Sequence, residues 1–144
     1  MKNITLMLVI LISIGCFGPP EVELSELTKL DGSWYLDTNS DPFTGIAIKF
    51  YGLDKNQKAC EFPVENGKTH GKITCWYKSG QIMAETFYKR GEKDGMDTMW
   101  YENGQKMSER SWKDGKKDGE DTNWNRNGEV TSKTHYKNNQ EIAF

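Results

Sequence analysis

Leucine disappears from this sequence after Leu53, and Leu, Ile and Val are concentrated in the first 15 residues. From Gly71 onward the apolar weight rests on Trp76, Tyr77, Phe87, Tyr88, Trp100, Tyr101, Trp112, Trp124 and Tyr136. That supply excludes a two-layer aliphatic interior and suits a thin sheet tiled with rings. A basic excess is lacking too: 19 Lys and Arg stand against 21 Asp and Glu, a net charge of −2. No stripe of cations exists to neutralise phosphates, so nucleic acid is excluded as a partner. Histidine is scarce: His70 and His135 are the only two, and nothing in the spacing brings them together. Metal-ligand patterns such as Cys-x-x-Cys or His-x-x-x-His are absent. So are nucleophile-elbow and Walker-type loops. The Asp-Gly pairs lack the alternating Asp ladder of a calcium loop. Neither a cofactor nor an enzyme activity is expected. Helix is excluded as well, because glycine interrupts the chain repeatedly and no stripe of period 3.6 survives.

What remains is a period. Gly71, Gly95 and Gly119 are 24 residues apart, and so are Trp76, Trp100 and Trp124. Ser79-Gly80, Asn103-Gly104 and Asn127-Gly128 keep the same step, as do Tyr88, Trp112 and Tyr136. A fixed interval of this size marks a repeat array. An earlier, degenerate copy begins at Gly45 and has Phe50 where the later Trp stands. Residues 31–44 look like a half-unit that starts the array. The repeats are then 45–70, 71–94, 95–118 and 119–144.

Within one copy, Thr-Met-Trp-Tyr at 98–101 has strand composition. Asn103-Gly104 supplies the positive φ values of a tight hairpin, and 105–112 alternates in period two as a returning strand. The two Asp-Gly pairs after it, at 114–115 and 118–119, suffice to turn the chain into the next copy. The predicted fold is therefore all-β: an antiparallel meander of hairpins forming an elongated, single-layer twisted sheet. The pleat puts Thr74 with Trp76, Thr98 with Trp100, Thr122 with Trp124, and Ile48 with Phe50 on one face, as a Thr row and an aromatic row. Cys75 with Tyr77 and Met99 with Tyr101 fall on the other. Asn123 and Asn125 replace that second set in the last copy, which reads as a polar cap. Each aromatic pair adds about 0.5–1.5 kcal/mol beyond area burial. The exposed rings Phe50, Trp76, Trp100, Trp124, Tyr77 and Tyr101 are the candidate binding surface. Glu61, Glu85 and Glu109 recur at one position beside Lys89 and Lys113 and read as a solvated face rather than a catalytic pair. His70 occupies the position of Asp94 and Asp118 and reads as a turn residue. Open sheet edges leave self-association as an option.

The N-terminus differs. One Lys, an apolar run from Ile4 to Ile14, and a small-residue end read as a signal peptide over 1–15; the run is short for a membrane span. Gly15-Cys16 at that point resembles a bacterial lipobox, with Ile14 and Gly15 in place and Ser13 where Leu is usual. The resemblance implies a diacylglyceryl group on Cys16, with 16–30 as a polar, Pro-bearing tether. The chain is then exported, as a lipoprotein of the cell membrane or outer membrane, or is secreted to the periplasm or beyond. Cys60 and Cys75 remain as an even pair in an oxidising compartment. If Gly67-Lys68 form the turn, the two face each other and can bond; if the turn is centred half a residue away, they point to opposite faces as two small thiols.

The Asp-Pro-Phe-Thr-Gly opening at 41–45, the Trp-Tyr-Glu-Asn-Gly-Gln-Lys segment at 100–106 and the Trp-Lys-Asp-Gly-Lys-Lys-Asp-Gly ending at 112–119 resemble MORN-type repeats. They are similar in particular to the bacterial variant of YwqK-family antitoxins, over about residues 31–141. The resemblance implies a β-hairpin meander with a non-enzymatic binding role. Here that means a membrane-anchored scaffold for a protein or envelope polymer; the alternative is an antitoxin component that neutralises a co-encoded toxin.

Overall fold

A computed structural model describes residues 18–37, 40–52 and 55–143. The segment 1–15 expected to be a signal peptide, and Cys16, lie outside the described residues. Within them the chain forms thirteen strands and a single 3-10 turn at Leu24–Glu26. The strands are β1 (Glu21–Glu23), β2 (Thr28–Leu30), β3 (Ser33–Tyr35), β4 (Gly45–Phe50), β5 (Lys58–Glu65), β6 (Lys68–Thr69) and β7 (Gly71–Trp76). They continue as β8 (Ile82–Lys89), β9 (Glu92–Trp100), β10 (Lys106–Lys113), β11 (Lys116–Trp124), β12 (Val130–Lys137) and β13 (Gln140–Ile142). From β4 to β13 consecutive strands pair antiparallel in one open sheet, with β6 a short extension beside β5. The antiparallel hairpin meander expected from the 24-residue period is the fold observed.

The turns exchange the roles expected of them. Asn66-Gly67, Arg90-Gly91, Asp114-Gly115 and Asn138-Asn139 have positive φ at both residues. These are the narrow two-residue turns whose twist matches paired strands. The turns at 77–80, 101–104 and 125–128 are wider: the Gly104 N–H donates to the Tyr101 carbonyl at 2.9 Å, and of that pair only Gly104 has positive φ, +84°. The second Asp-Gly of each copy does not turn at all. Asp94-Gly95 and Asp118-Gly119 sit inside β9 and β11, with glycine φ near +115°.

Those glycines mark a register change. Tyr88 pairs with Lys93 but Thr86 with Asp97, so β9 carries two more residues than β8 across the step. A Cβ on Gly95 would stand 3.0 Å from the Phe87 Cβ, and one on Gly119 2.9 Å from that of Ser111. His70-Gly71 makes the same irregularity one repeat earlier, so His70 belongs to this step and not to a hairpin turn. The step also decides the cysteines. The turn is Asn66-Gly67 and not Gly67-Lys68, yet the two added residues bring Cys60 opposite Cys75, and the pair is disulfide-bonded with Cα atoms 4.0 Å apart.

The N-terminal segment departs from the tether reading. From Glu21 it is folded: β1 runs parallel to β4, and Ile46 N–H donates to the Pro20 carbonyl at 2.8 Å. Leu27, Phe43, Ala47 and Val64 form a buried cluster, with Val22, Leu24, Trp34 and Phe62 packed against it. Burying a Leu or Phe side chain contributes about 1.5–3 kcal/mol, and several such side chains together offset the roughly 1–2 kcal/mol per residue that ordering the segment costs. The β2–β3 hairpin continues this cover, joined by Trp34 N–H to the Gly67 carbonyl at 2.8 Å. The aliphatic residues missing from the repeats are thus gathered at one end.

Candidate functional site

Four cross-strand pairs define the ring row. Phe50 faces Lys58, Trp76 faces Ile82, Trp100 faces Lys106, and Trp124 faces Val130. Beside each pair the outgoing strand holds one extra residue: Ala59, Met83, Met107 or Thr131. Such a bulge breaks the in–out alternation and re-aims the side chains next to it. The result is a stripe across eight strands in which each ring alternates with an aliphatic group or a lysine stem. All four rings are half-buried, while Ile82 and Val130 are 42% and 57% exposed. The Lys106 ammonium lies 5.7 Å from the centre of the Trp124 ring, over a shallow recess of about 200 Å³ completed by Gln105 and Gly128. Trp76, Trp100 and Trp124 each carry one indole N–H donor on a half-buried ring, whereas the indole N–H of Trp112, on the other face, is buried without a hydrogen-bond partner among the described residues. Ile82, Val130, Lys58 and Lys106 were not legible as members of this surface, because strict alternation assigns them no common face with the rings.

Tyr77 and Tyr101 do a different job from the Trp row. The Tyr77 hydroxyl donates to the Trp100 carbonyl at 2.7 Å, and Tyr101 to that of Trp124 at 3.0 Å. Tyr51, which sequence reasoning passed over, does the same to Trp76 at 2.7 Å. Each ring therefore ties one copy to the next. Cations cover two of the rings, Lys78 over Tyr51 and Arg126 over Tyr101. Asn125 has the tyrosine's place in the last copy and instead accepts from the Asn127 and Glu129 N–H groups of its own turn.

The face that bears the disulfide holds a second row of rings: Tyr88, Trp112 and Tyr136. Lys93 lies 4.8 Å over Trp112, and Lys117 4.5 Å over Tyr136. Each lysine is held from below by a buried carboxylate, Lys93 by Asp97 at 2.6 Å and Lys117 by Asp121 at 2.7 Å. Thr86 and Arg110 complete the bonding of Asp97 and Asp121 respectively, as buried charge requires. In the first copy Thr69 and Ile73 stand where these lysines and aspartates would be. There an apolar groove of about 270 Å³ runs between Trp34, Phe62 and Val64 on one side and Tyr88 on the other.

The glutamates are not a separate row. Glu61, Thr74, Glu85, Thr98, Glu109 and Thr122 oppose one another in turn as one ladder. Their cations are Lys58, Lys72 and Lys106, in place of the Lys89 and Lys113 expected. Thr98 and Thr122 are buried and the glutamates half-buried, so the ladder is not a fully solvated face. His70 approaches Glu65 at 3.4 Å. Among the described residues no three His, Cys, Asp or Glu side chains gather in a metal-holding arrangement.

The family described as MORN repeat variant matches residues 69–90, 93–114 and 117–138. The chain carries three consecutive MORN repeats. Neither a curated protein nor a solved structure matches it. Each matched MORN segment starts two residues after the glycine of one narrow turn and stops at the first residue of the next. It therefore frames one ring-bearing strand, one wide turn and one returning strand. Residues 45–68 of the degenerate copy precede the matched residues yet share the stripe and the tyrosine tie. An all-β MORN array of this kind is typical of non-enzymatic modules and consistent with a repeat-based binding or scaffold role.

Proposed function

We propose that the protein is an exported, lipid-anchored MORN module that binds a protein or envelope polymer through the stripe Phe50, Trp76, Ile82, Trp100, Trp124 and Val130. The observation that carries this reading is the stripe itself. Six of its eight strands contribute an apolar side chain and two a lysine stem, with Ile82 and Val130 exposed among half-buried rings, and exposed apolar surface gathered in this way marks interaction sites. Trp is favoured at the centre of interfaces because it offers large rigid contact at small entropic cost. Export is supported by the apolar run ending at Cys16 and by the Cys60–Cys75 disulfide, since such bonds persist in oxidising compartments. The first strand among the described residues starts at Glu21, five positions after Cys16, so an anchor there would hold the sheet close to the bilayer.

Photo-crosslinking in intact cells tests the binding surface. A crosslinking residue at Ile82 or Val130 should trap a macromolecule of the envelope. The same residue at Lys49, which shares the disulfide's face, should not. Equal capture from both faces sinks the stripe as the interface. A trapped species that is a co-encoded toxic protein makes the module an antitoxin and not a scaffold.

A further inference from the structure

The stripe has a pitch, and the pitch restricts what can lie along it. Its rings occur on every second strand, so neighbouring rings are about 9.6 Å apart, twice the usual inter-strand distance. A ligand meets every ring alike only if its own chemistry recurs at that interval. Same-side groups of an extended strand recur every 6.6–6.8 Å or so, and a helical turn advances about 5.4 Å; both lose step by the second ring. A polyproline II helix advances about 9.3 Å per three-residue turn, a slip of about 0.3 Å per ring.

The polar character of the stripe is equally one-sided. Trp76, Trp100 and Trp124 each bring one indole N–H donor to the stripe. Lys58 and Lys106 lie among them, and the nearest acidic groups, Glu61 and Glu109, are already tied to those lysines. The stripe thus offers three indole donors, with the Gln105 amide, whose Oε1 lies beside Gly128 in the recess at Trp124, as an acceptor at its end. A proline-rich chain is its complement: proline has no N–H, and a polyproline II backbone uses none of its carbonyls internally. Ile82 between two tryptophans and Val130 beside the last are apolar walls of the size a pyrrolidine ring needs. From this the geometry points to a proline-rich segment in the polyproline II conformation, laid across the strands, with one turn of ligand per indole. Aromatic grooves that take such preformed helices are a recurring recognition mode. The assignment rests on the stripe being the binding surface.

Titration of the full chain, followed by tryptophan fluorescence, tests it with three probes: a ten-residue polyproline peptide, a Gly-Ser peptide of equal length, and a soluble β-1,4-linked N-acetylglucosamine hexamer. Saturable binding of the polyproline peptide alone is expected. Trp100→Phe keeps a ring and removes the donor, and should weaken that binding about three- to tenfold, the value of one neutral hydrogen bond. Trp112→Phe, on the other face, should leave it unchanged, with circular dichroism confirming that both variants fold. Binding of the hexamer or the Gly-Ser peptide in place of polyproline, no saturation by polyproline, or an unchanged affinity in Trp100→Phe each overturns the assignment. Crosslinks from Ile82 that persist after such a result leave the interface standing with a different occupant; their loss as well removes both.

Discussion

Gly119 shows how much of this fold hangs on single atoms. Its φ is +115°, and a Cβ there would meet the Ser111 Cβ at 2.9 Å. Gly104 has positive φ too, but open space around it. Backbone strain at such positions costs about 1–3 kcal/mol, and at Gly119 the backbone has no room to relieve it. Gly119→Ala should therefore lower the urea midpoint clearly more than Gly104→Ala does. An equal drop would mean that the register step in β11 is not held by the missing side chain. The alternation of Glu and Thr in one ladder is a residue-scale fact of the same kind. It follows from the two-residue step at each of these glycines, and an Asp-Gly pair written in a sequence does not say whether it will turn a chain or offset it.

Among the elements, the C-terminal edge is secured differently from the interior. Asp118 is tied to Lys137 at 3.0 Å and Glu120 to Lys133 at 2.9 Å, joining β11 to β12. The lysine in each case holds the carboxyl below its ordinary value, 3.8 for Asp118 and 4.5 for Glu120. A depressed carboxyl stabilises the folded state above its ordinary pKa and ceases to do so as pH falls through the lowered one. In an NMR acid titration both carboxyls should titrate below 3.8 and 4.5 respectively, and amides of β12 and β13 should be lost before those of β10. The Glu120–Lys133 pair is exposed and Asp118 is half-buried beneath an exposed Lys137, so added salt should bring the midpoints back toward ordinary values, Glu120 more than Asp118. Midpoints insensitive to salt would contradict an ion-pair origin. The hairpins themselves were legible in the sequence, since period, ring and glycine agreed in three copies. The bulges at Ala59, Met83, Met107 and Thr131 were not: the composition of a strand does not reveal which of its residues lacks an opposite number.

For the whole molecule, the seam between β5 and β7 is the point of division. Register partners there are limited to Cys60 with Cys75 and Glu61 with Thr74. On one side lies the only apolar cluster among the described residues; on the other, a ring-stitched array. The disulfide crosses this seam and closes a separation of 15 residues, for which loop entropy gives about 3 kcal/mol. Replacing both cysteines with Ala should lower stability by about that amount and split the calorimetric transition in two, the N-terminal unit leaving first. A single transition of unchanged midpoint would show that the two parts are held by other means. This division was hidden from sequence reasoning because the residues that build the N-terminal cover, Leu24, Leu27 and Trp34 among them, carry no period. Their role depends on contacts with β4 and β5 that no local pattern announces.

The tyrosine tie has a consequence of its own. Since the hydroxyl of one copy closes on the carbonyl of its successor, a fraction of a copy has nothing to close on, whereas a complete one fits anywhere in the series. The molecule can be lengthened or shortened only in whole graduations, like a gauge, and Asn125, which turns its bonds back on itself, is the mark where the scale stops.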